Sequence, residues 1–151
     1  MNLTDTIAEI DEQLEVPPAA SAGGSLLIMV GLPGAGKSVV ASALRKLLPY
    51  VLVSTDAVRR KMTAAPNYSD QEKAQIYQVC FALIERRLQR GQRVLFDAVN
   101  QLQIRRDQAA AVAENLGLPA VFCYVQASPE AIKERLVRRG SAGRRVGDMS
   151  D

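Results

Sequence analysis

Short apolar runs alternate with longer, more polar segments along most of the chain. Four of these runs have the length of buried strands, and they span 26–30, 50–54, 93–96 and 120–126. Five segments are predicted to be helices, at 37–48, 56–62, 69–90, 103–116 and 129–139. Strands that alternate with helices predict an α/β domain with three layers, in which a parallel sheet of about four to five strands carries helices on both faces.

Residues that start or stop helices support these boundaries. Pro49 stops the first helix of the domain, and Gly91 and Gly140 stand where two other helices are predicted to end. The stretch 69–72 has the S-x-x-E form of a capping box, which predicts the start of the long helix. A serine and a proline at 128–129 supply an N-cap and a first helical residue for the last helix.

The first 25 residues differ in composition from the rest. Residues 4–15 place apolar side chains at helical spacing on an acidic segment, and 16–25 are rich in proline, alanine, glycine and serine. This pattern predicts a short amphipathic helix followed by a flexible linker. We therefore expect two units, 1–25 and a domain at 26–151. Whether the helix docks on this domain or on a partner stays open.

The end of the chain is predicted to be a loop. Residues 141–149 are rich in glycine and arginine, and Ser150 and Asp151 have N-cap chemistry for a helix that does not follow. Two interpretations stay open: the domain is truncated after this loop, or the loop ends free.

Composition excludes several classes of chemistry. The chain has no histidine, so His-based catalysis and the common zinc sites lose their usual ligand. Its two cysteines, Cys80 and Cys123, lie among apolar residues and are predicted to be reduced, buried thiols. It lacks both an apolar run of membrane-spanning length and a signal-peptide pattern, so we expect a cytoplasmic protein without a membrane partner.

A phosphate-binding motif follows the first predicted strand. Residues 31–38 fit the pattern G-x-x-x-x-G-K-[ST] and lead into a predicted helix, which is the context this motif requires. Its glycines allow the backbone N–H groups to surround a phosphate, its lysine reaches the β- and γ-phosphates, and its serine binds Mg²⁺. The predicted nucleotide-binding residues are Gly31, Leu32, Pro33, Gly34, Ala35, Gly36, Lys37, Ser38 and Val39.

Other residues separate the classes of protein that carry this loop. The chain has no guanine-reading N-K-x-D sequence, so we expect ATP rather than GTP. Motor and AAA+ ATPases have two adjacent acids after the third strand, whereas here Asp97 is followed by Ala98. Asp97 alone can anchor a Mg²⁺-bound water or, in the alternative interpretation, cap the next turn.

The second strand leads directly into residues suited to a phosphoryl acceptor. Because ligands collect outside the carboxyl ends of parallel strands, Asp56 is expected on the same edge as Lys37 and Asp97. There its carboxylate can accept the proton of an attacking hydroxyl, and Arg59 can hold an anionic part of the acceptor. In the alternative interpretation Asp56 is a helix N-cap and Arg59 a solvated charge.

Arginines near the end of the chain are candidates for a lid over the nucleotide. Arg135 and Arg139 stand four residues apart on one face of the last helix, and Arg144 and Arg145 follow in the loop. Phosphoryl transfer needs cations over the developing charge, which favours a lid, although a solvated helix face explains the same pattern.

Taken in order, the motifs GLPGAGKS, STDAVRRKM, VLFDAVN and IKERLVRRG resemble the small P-loop kinases related to the 5′-kinase domain of bacteriophage polynucleotide kinase. They are also similar to the zeta-toxin kinases and to bacterial AAA-type ATP-binding proteins. The resemblance implies a nucleotide lysine at Lys37, a general base at Asp56 and a lid arginine at Arg139. It further implies substrate-binding roles for the following residues: Arg59, Asp97, Asn100 and Arg135.

These observations predict an ATP- and Mg²⁺-dependent kinase that phosphorylates a hydroxyl on a small molecule or a polynucleotide 5′ end. A regulatory or assembly module that binds nucleotide, and binds a partner through its N-terminal helix, is the alternative. A nucleic-acid ATPase is a third. Nucleic acid has weak support as a ligand, because only 5% of residues are aromatic and tryptophan is absent.

Overall fold

The computed structural model describes residues 2–141, with side chains up to residue 138. The Arg139 side chain and the arginines at 144 and 145, all predicted for the lid, lie outside the described part. The strands are β1 Ser25–Val30, β2 Val51–Ser54, β3 Arg93–Asp97 and β4 Ala120–Tyr124. The α-helices are α1 Leu3–Gln13, α2 Lys37–Leu47, α3 Thr55–Met62, α4 Asp70–Gln89, α5 Gln103–Glu114 and α6 Pro129–Ser141.

The four strands form one parallel sheet in the order β2-β3-β1-β4. Continuous apolar sequence makes β1 a central strand, since both of its faces are covered. Helices link successive parallel strands, as their crossover connections require. The prediction of a three-layer α/β fold is confirmed.

Each face of the sheet has its own apolar core. Leu26 and Ile28 of β1 face the larger core, which is built mainly on α4 and α5. Met29, between two residues of that face, turns to the smaller core with Ala41 of α2. This alternation follows from the two-residue period of a strand. The helices that lead to and from the site are therefore fixed on opposite faces of one sheet.

The N-terminal helix packs on the domain. Ile10 of α1 is buried in the larger core, and Asp11 accepts a hydrogen bond of 2.8 Å from Nε of the buried Arg87 in α4. In the connecting segment, Pro18–Ala20 form a 3₁₀ turn and Ser21 forms an isolated bridge with Gln92. The division of the chain at residue 25 stays a prediction.

Several predicted boundaries need small corrections. Strand β4 ends at Tyr124, two residues before the end expected from sequence. Helix α6 continues through Gly140 to Ser141, because a glycine ends a helix only where the chain takes up the left-handed conformation. Only half of the predicted capping box forms. The Ser69 hydroxyl accepts from the Glu72 N–H, but the Ser69 N–H donates to the Asn67 side-chain oxygen and not to the Glu72 carboxylate.

The cysteines match the prediction in part. Both are free and Cys80 is buried, but Cys123 is only half-buried, because β4 is an edge strand. Burial raises the pKa of the Cys80 thiol. None of the described helices is long and apolar enough to cross a membrane.

Candidate active site

The candidate site lies at the carboxyl edge of the parallel sheet. The register pairs Ser54, the last residue of β2, with Asp97, the last residue of β3. Strand β1 lies on the other side of β3 and ends at Val30, directly before the phosphate loop. The register therefore brings Asp97, the start of α3 and the phosphate loop to one edge, as the sequence predicted.

The backbone of the phosphate loop turns as its glycines allow. Gly34 and Gly36 have φ angles of 86° and 104°, which a residue with a Cβ adopts only under strain. Gly36 is also the N-cap of α2, so no side chain caps this helix. Lys37 and Ser38 follow as its first residues. An uncapped helix N-terminus below a glycine-rich turn presents N–H groups to an anion.

The loop is tied to the neighbouring connection. The Gly31 N–H donates to the Val99 carbonyl over 3.1 Å, which fixes the start of the loop against the segment after β3. Leu32 and Val39, both predicted to bind nucleotide, are exposed. Pro33 and Ala35 are buried within the loop.

Helix α6 lies over the phosphate loop. Arg135 Nη1 donates a hydrogen bond of 2.9 Å to the Gly34 carbonyl oxygen. A Cβ on Gly34 would lie 2.9 Å from the Ile132 carbonyl, so the absence of a side chain lets the helix approach. The sequence placed Arg135 on a lid, and the structure brings it to the loop. The Arg139 side chain lies outside the described residues.

A cleft of about 430 Å³ opens beside the loop. Its walls come from the loop itself, the start of α5, the end of β4 and the start of α6. Leu32, Tyr124 and Ile132 supply apolar surface, and Arg106 and Gln126 supply polar groups. The cleft presents polar and apolar surface in about equal measure. Its size, next to a phosphate-binding loop, suits a small molecule.

The acceptor-side residues lie at the start of α3. The Ser54 side chain accepts from the Ala57 N–H and so caps the helix, which leaves the capping role of Asp56 unnecessary. Asp56 Oδ1 lies 3.3 Å from Arg59 Nη1. Arg59 is only 7% exposed, and so it is not the solvated charge of the alternative interpretation.

Asn100, which was predicted to bind substrate, is buried instead of lying open to the site. It is fully buried with a φ of 53°, and its amide nitrogen donates to the Met29 carbonyl over 2.7 Å. Its own side-chain oxygen has no hydrogen-bond partner among the described residues. These contacts tie the turn after β3 to β1, and a direct contact of Asn100 with substrate stays a prediction.

The donor groups at this edge fit Mg²⁺. Ser38 offers a hydroxyl and Asp97 a carboxylate, both hard oxygen ligands. Among the described residues, no group of three or more acids, histidines or cysteines could hold a metal alone. Mg²⁺ commonly takes one or two protein oxygens and completes its shell with phosphate and water, so this donor set suits a metal that arrives with a nucleotide.

Three residues of the site were missed by the sequence reasoning. Glu72 and Tyr68 both contact Arg59, the first through a 3.2 Å salt bridge and the second through its ring at 4.8 Å. Arg106 donates to the carbonyls of Asn100 and Gln101. Only Glu72 carried a signal, as part of the S-x-x-E box, and that signal indicates helix capping rather than a site.

The match to a known family comes from the stretch that forms this site. A family model described as an AAA domain (AAA_33) matches residues 26–150. The chain belongs to this AAA domain family. No protein of curated function matches this AAA domain by sequence.

Solved structures resemble the AAA domain at low sequence identity. One is a candidate kinase from Chloroflexus aurantiacus, 22% identical, with a TM-score of 0.71 over 85% of this chain and 73% of that chain. Another is the APS kinase CysC of Mycobacterium tuberculosis in complex with AMPPNP and APS, 21% identical, with a TM-score of 0.66 over 85% and 78%. A third belongs to the Pnkp1/Rnl/Hen1 RNA repair complex, 22% identical, with a TM-score of 0.69 over 80% and 39%.

These likenesses establish the fold. The AAA domain has the P-loop architecture of kinase structures, and it spans about two fifths of the matched chain of the RNA repair complex. The predicted closer relation to bacteriophage polynucleotide kinase and the zeta toxins stays a prediction.

Proposed function

We propose that the chain is a kinase that transfers the γ-phosphoryl group of ATP to a hydroxyl of an acceptor. The hydroxyl oxygen attacks the γ-phosphorus, the bond to the β–γ bridging oxygen breaks, and ADP leaves. The proton of the hydroxyl passes to the Asp56 carboxylate. The acceptor is a small molecule or a polynucleotide 5′ end.

One observation carries this proposal: the phosphate loop, Asp56 and Asp97 share one edge of the sheet. This shared edge follows from the pairing of Ser54 with Asp97 and from the order of the strands in the sheet. A phosphate loop alone indicates nucleotide binding without an acceptor. Ser54 supplies the N-cap of α3, and the Asp56 carboxylate beside it adds the group that a hydroxyl acceptor needs.

The phosphate end of ATP would bind along the start of α2. The uncapped N–H groups and the helix dipole favour the β-phosphate there, and Lys37 extends toward the β- and γ-phosphates. The hydrogen bond to the Gly34 carbonyl would hold the positive charge of Arg135 over the loop. There it would stabilise the negative charge that develops on the phosphoryl group during transfer. Arg139, one turn further along α6, would act with it.

Mg²⁺ would be held by Ser38 and by Asp97, directly or through water. When bound, it neutralises charge on the β- and γ-phosphates during transfer. The cleft beside the loop is large enough for the remainder of a nucleotide.

The alternative, a nucleotide-binding module that recruits a partner through α1, has less support. The apolar residues of α1 pack against the larger core, and so this face is engaged within the chain.

An acceptor screen tests the proposal. ATP labelled on its γ-phosphate would be offered with nucleosides, 5′-hydroxyl oligonucleotides, sugars and nucleotide sugars. We expect transfer to one class and only slow release of free phosphate. Steady release with no labelled product would refute the kinase assignment.

The role of Asp56 is tested by Asp56→Asn. We expect the kcat for transfer to fall about a hundred- to ten-thousandfold, because the base is lost, while ATP affinity measured by titration stays the same. The control is Asp107→Asn, which removes an exposed carboxylate from α5. Equal transfer by the two variants would exclude Asp56 as the base.

A further inference from the structure

Glu72 occupies an unusual place for the last residue of a capping box. In that motif the third helical residue returns its side chain to the N-cap N–H. Here the Ser69 N–H is taken by the Asn67 side chain over 2.9 Å, and the Glu72 carboxylate turns elsewhere. Its side chain is 13% exposed. The nearly buried Glu72 carboxylate therefore makes contacts other than the one expected in a capping box.

Those contacts connect α3, α4 and the segment between them. Glu72 Oε1 accepts from Arg59 Nε at 3.2 Å and from the Tyr68 N–H at 3.3 Å, and Oε2 accepts from the Asn67 N–H at 2.9 Å. Hydrogen bonds to a charged acceptor are stronger than those between neutral groups. One carboxylate therefore fixes both a guanidinium and the two peptide groups that precede the helix.

Arg59 is held on three sides as a result. Asp56 lies 3.3 Å from Nη1, Glu72 lies 3.2 Å from Nε, and the Tyr68 ring lies 4.8 Å from the guanidinium carbon. An ion pair three residues apart on one helix contributes little by itself. Glu72 joins Arg59 to a different helix and so limits where the guanidinium can lie relative to Asp56.

We propose that Glu72 is a positioning residue for the acceptor site, which holds Arg59 beside Asp56 and folds residues 67–68 over the guanidinium. The inference rests on the proposed function, in which Asp56 takes the proton of the acceptor and Arg59 binds its anionic part. Loss of Glu72 frees the guanidinium to rotate, and acceptor binding weakens while ATP binding does not.

The test compares Glu72→Gln and Glu72→Ala with Glu85→Gln, which removes an exposed carboxylate from the same helix. Steady-state kinetics would use the compound that the wild-type chain phosphorylates in the screen described above. We expect the KM for this acceptor to rise roughly ten- to a hundredfold, more in Glu72→Ala than in Glu72→Gln, because a hydrogen bond to a charged group is lost. The KM for ATP and the behaviour of Glu85→Gln should match the wild type.

A second measurement reports on the geometry without turnover. NMR of the full chain would follow hydrogen exchange at the Arg59 Nε–H. Exchange should be slow in the wild type and in Glu85→Gln, and fast in Glu72→Ala. An unchanged acceptor KM in both Glu72 variants would overturn the inference and leave the kinase standing. Parallel loss of ATP affinity and thermal stability would also overturn it, in favour of a general structural role. A wild-type chain that phosphorylates nothing would instead refute the proposed function, and the inference with it.

Discussion

A buried ion pair adds to the apolar packing that attaches α1 to the domain, and Asp11→Ala is the substitution that tests its contribution. Asp11 accepts from Arg87 Nε at 2.8 Å, and its second oxygen lies 3.6 Å from Arg86 and 3.5 Å from Arg90. The side chains of Asp11 and Arg87 are 4% and 6% exposed. The variant would leave the Arg87 guanidinium buried with its carboxylate partner removed.

The expected loss follows from these exposures. Removing one partner of a buried pair costs about 3–5 kcal/mol, since the other charge stays desolvated. Arg86 and Arg90 are 38% and 54% exposed, so their contacts add little. Arg87 also donates to the backbone carbonyl of Asp11, and this bond survives the substitution. We therefore expect a destabilisation near the lower limit, about 3 kcal/mol.

Urea unfolding followed by circular dichroism would measure the change. Glu12→Ala is the control, because it removes an exposed carboxylate from the same helix. Adding Arg87→Met to Asp11→Ala should recover part of the loss, since no buried charge then remains. A loss below about 1 kcal/mol, or one equal to that of the control, would show that this ion pair contributes little and that apolar packing alone attaches α1.

Two further predictions concern the phosphate loop. Gly34→Ala should lower both the thermal stability and the affinity for a fluorescent ATP analogue, because the new Cβ would meet the Ile132 carbonyl. The control is Gly117→Ala, which has a similar φ and open space around it and should cost only about 1 kcal/mol of backbone strain. Equal effects of the two substitutions would refute this explanation. Arg135→Gln should weaken nucleotide binding, measured by titration, about tenfold, because the hydrogen bond to the Gly34 carbonyl is lost. The control Arg138→Gln, on the exposed side of α6, should leave the affinity unchanged. Similar affinities in the two variants would exclude Arg135 from the site.

Much of the fold could be predicted from the sequence because local rules and tertiary packing agree. The run at 26–30 is apolar at every position, which suits a strand covered on both faces, and the structure makes it β1. The stop signals at Pro49 and Gly91 coincide with the ends of α2 and α4. The exception at Gly140 shows the limit, since a glycine permits a helix end without requiring one.

The site was only partly predictable. Residues that follow strands, such as Asp56 and Asp97, could be assigned to one edge because parallel strands share their carboxyl ends. Contacts between distant helices could not, because nothing in the local pattern of Glu72 indicates Arg59 as its partner. The attachment of α1 through Asp11 also depends on a residue 76 positions away.

The sequence by itself determined the phosphate loop and the order of strands and helices. A glycine-rich turn followed by a lysine and a serine has a chemistry that is complete within eight residues, and so no folding information is needed to recognise it. The tertiary structure decided which groups surround that loop. It brought Arg135 of α6 to Gly34 and fixed Arg59 between Asp56 and Glu72. These arrangements depend on how the helices pack across the sheet, and packing is set by the summed fit of many side chains that no short motif encodes.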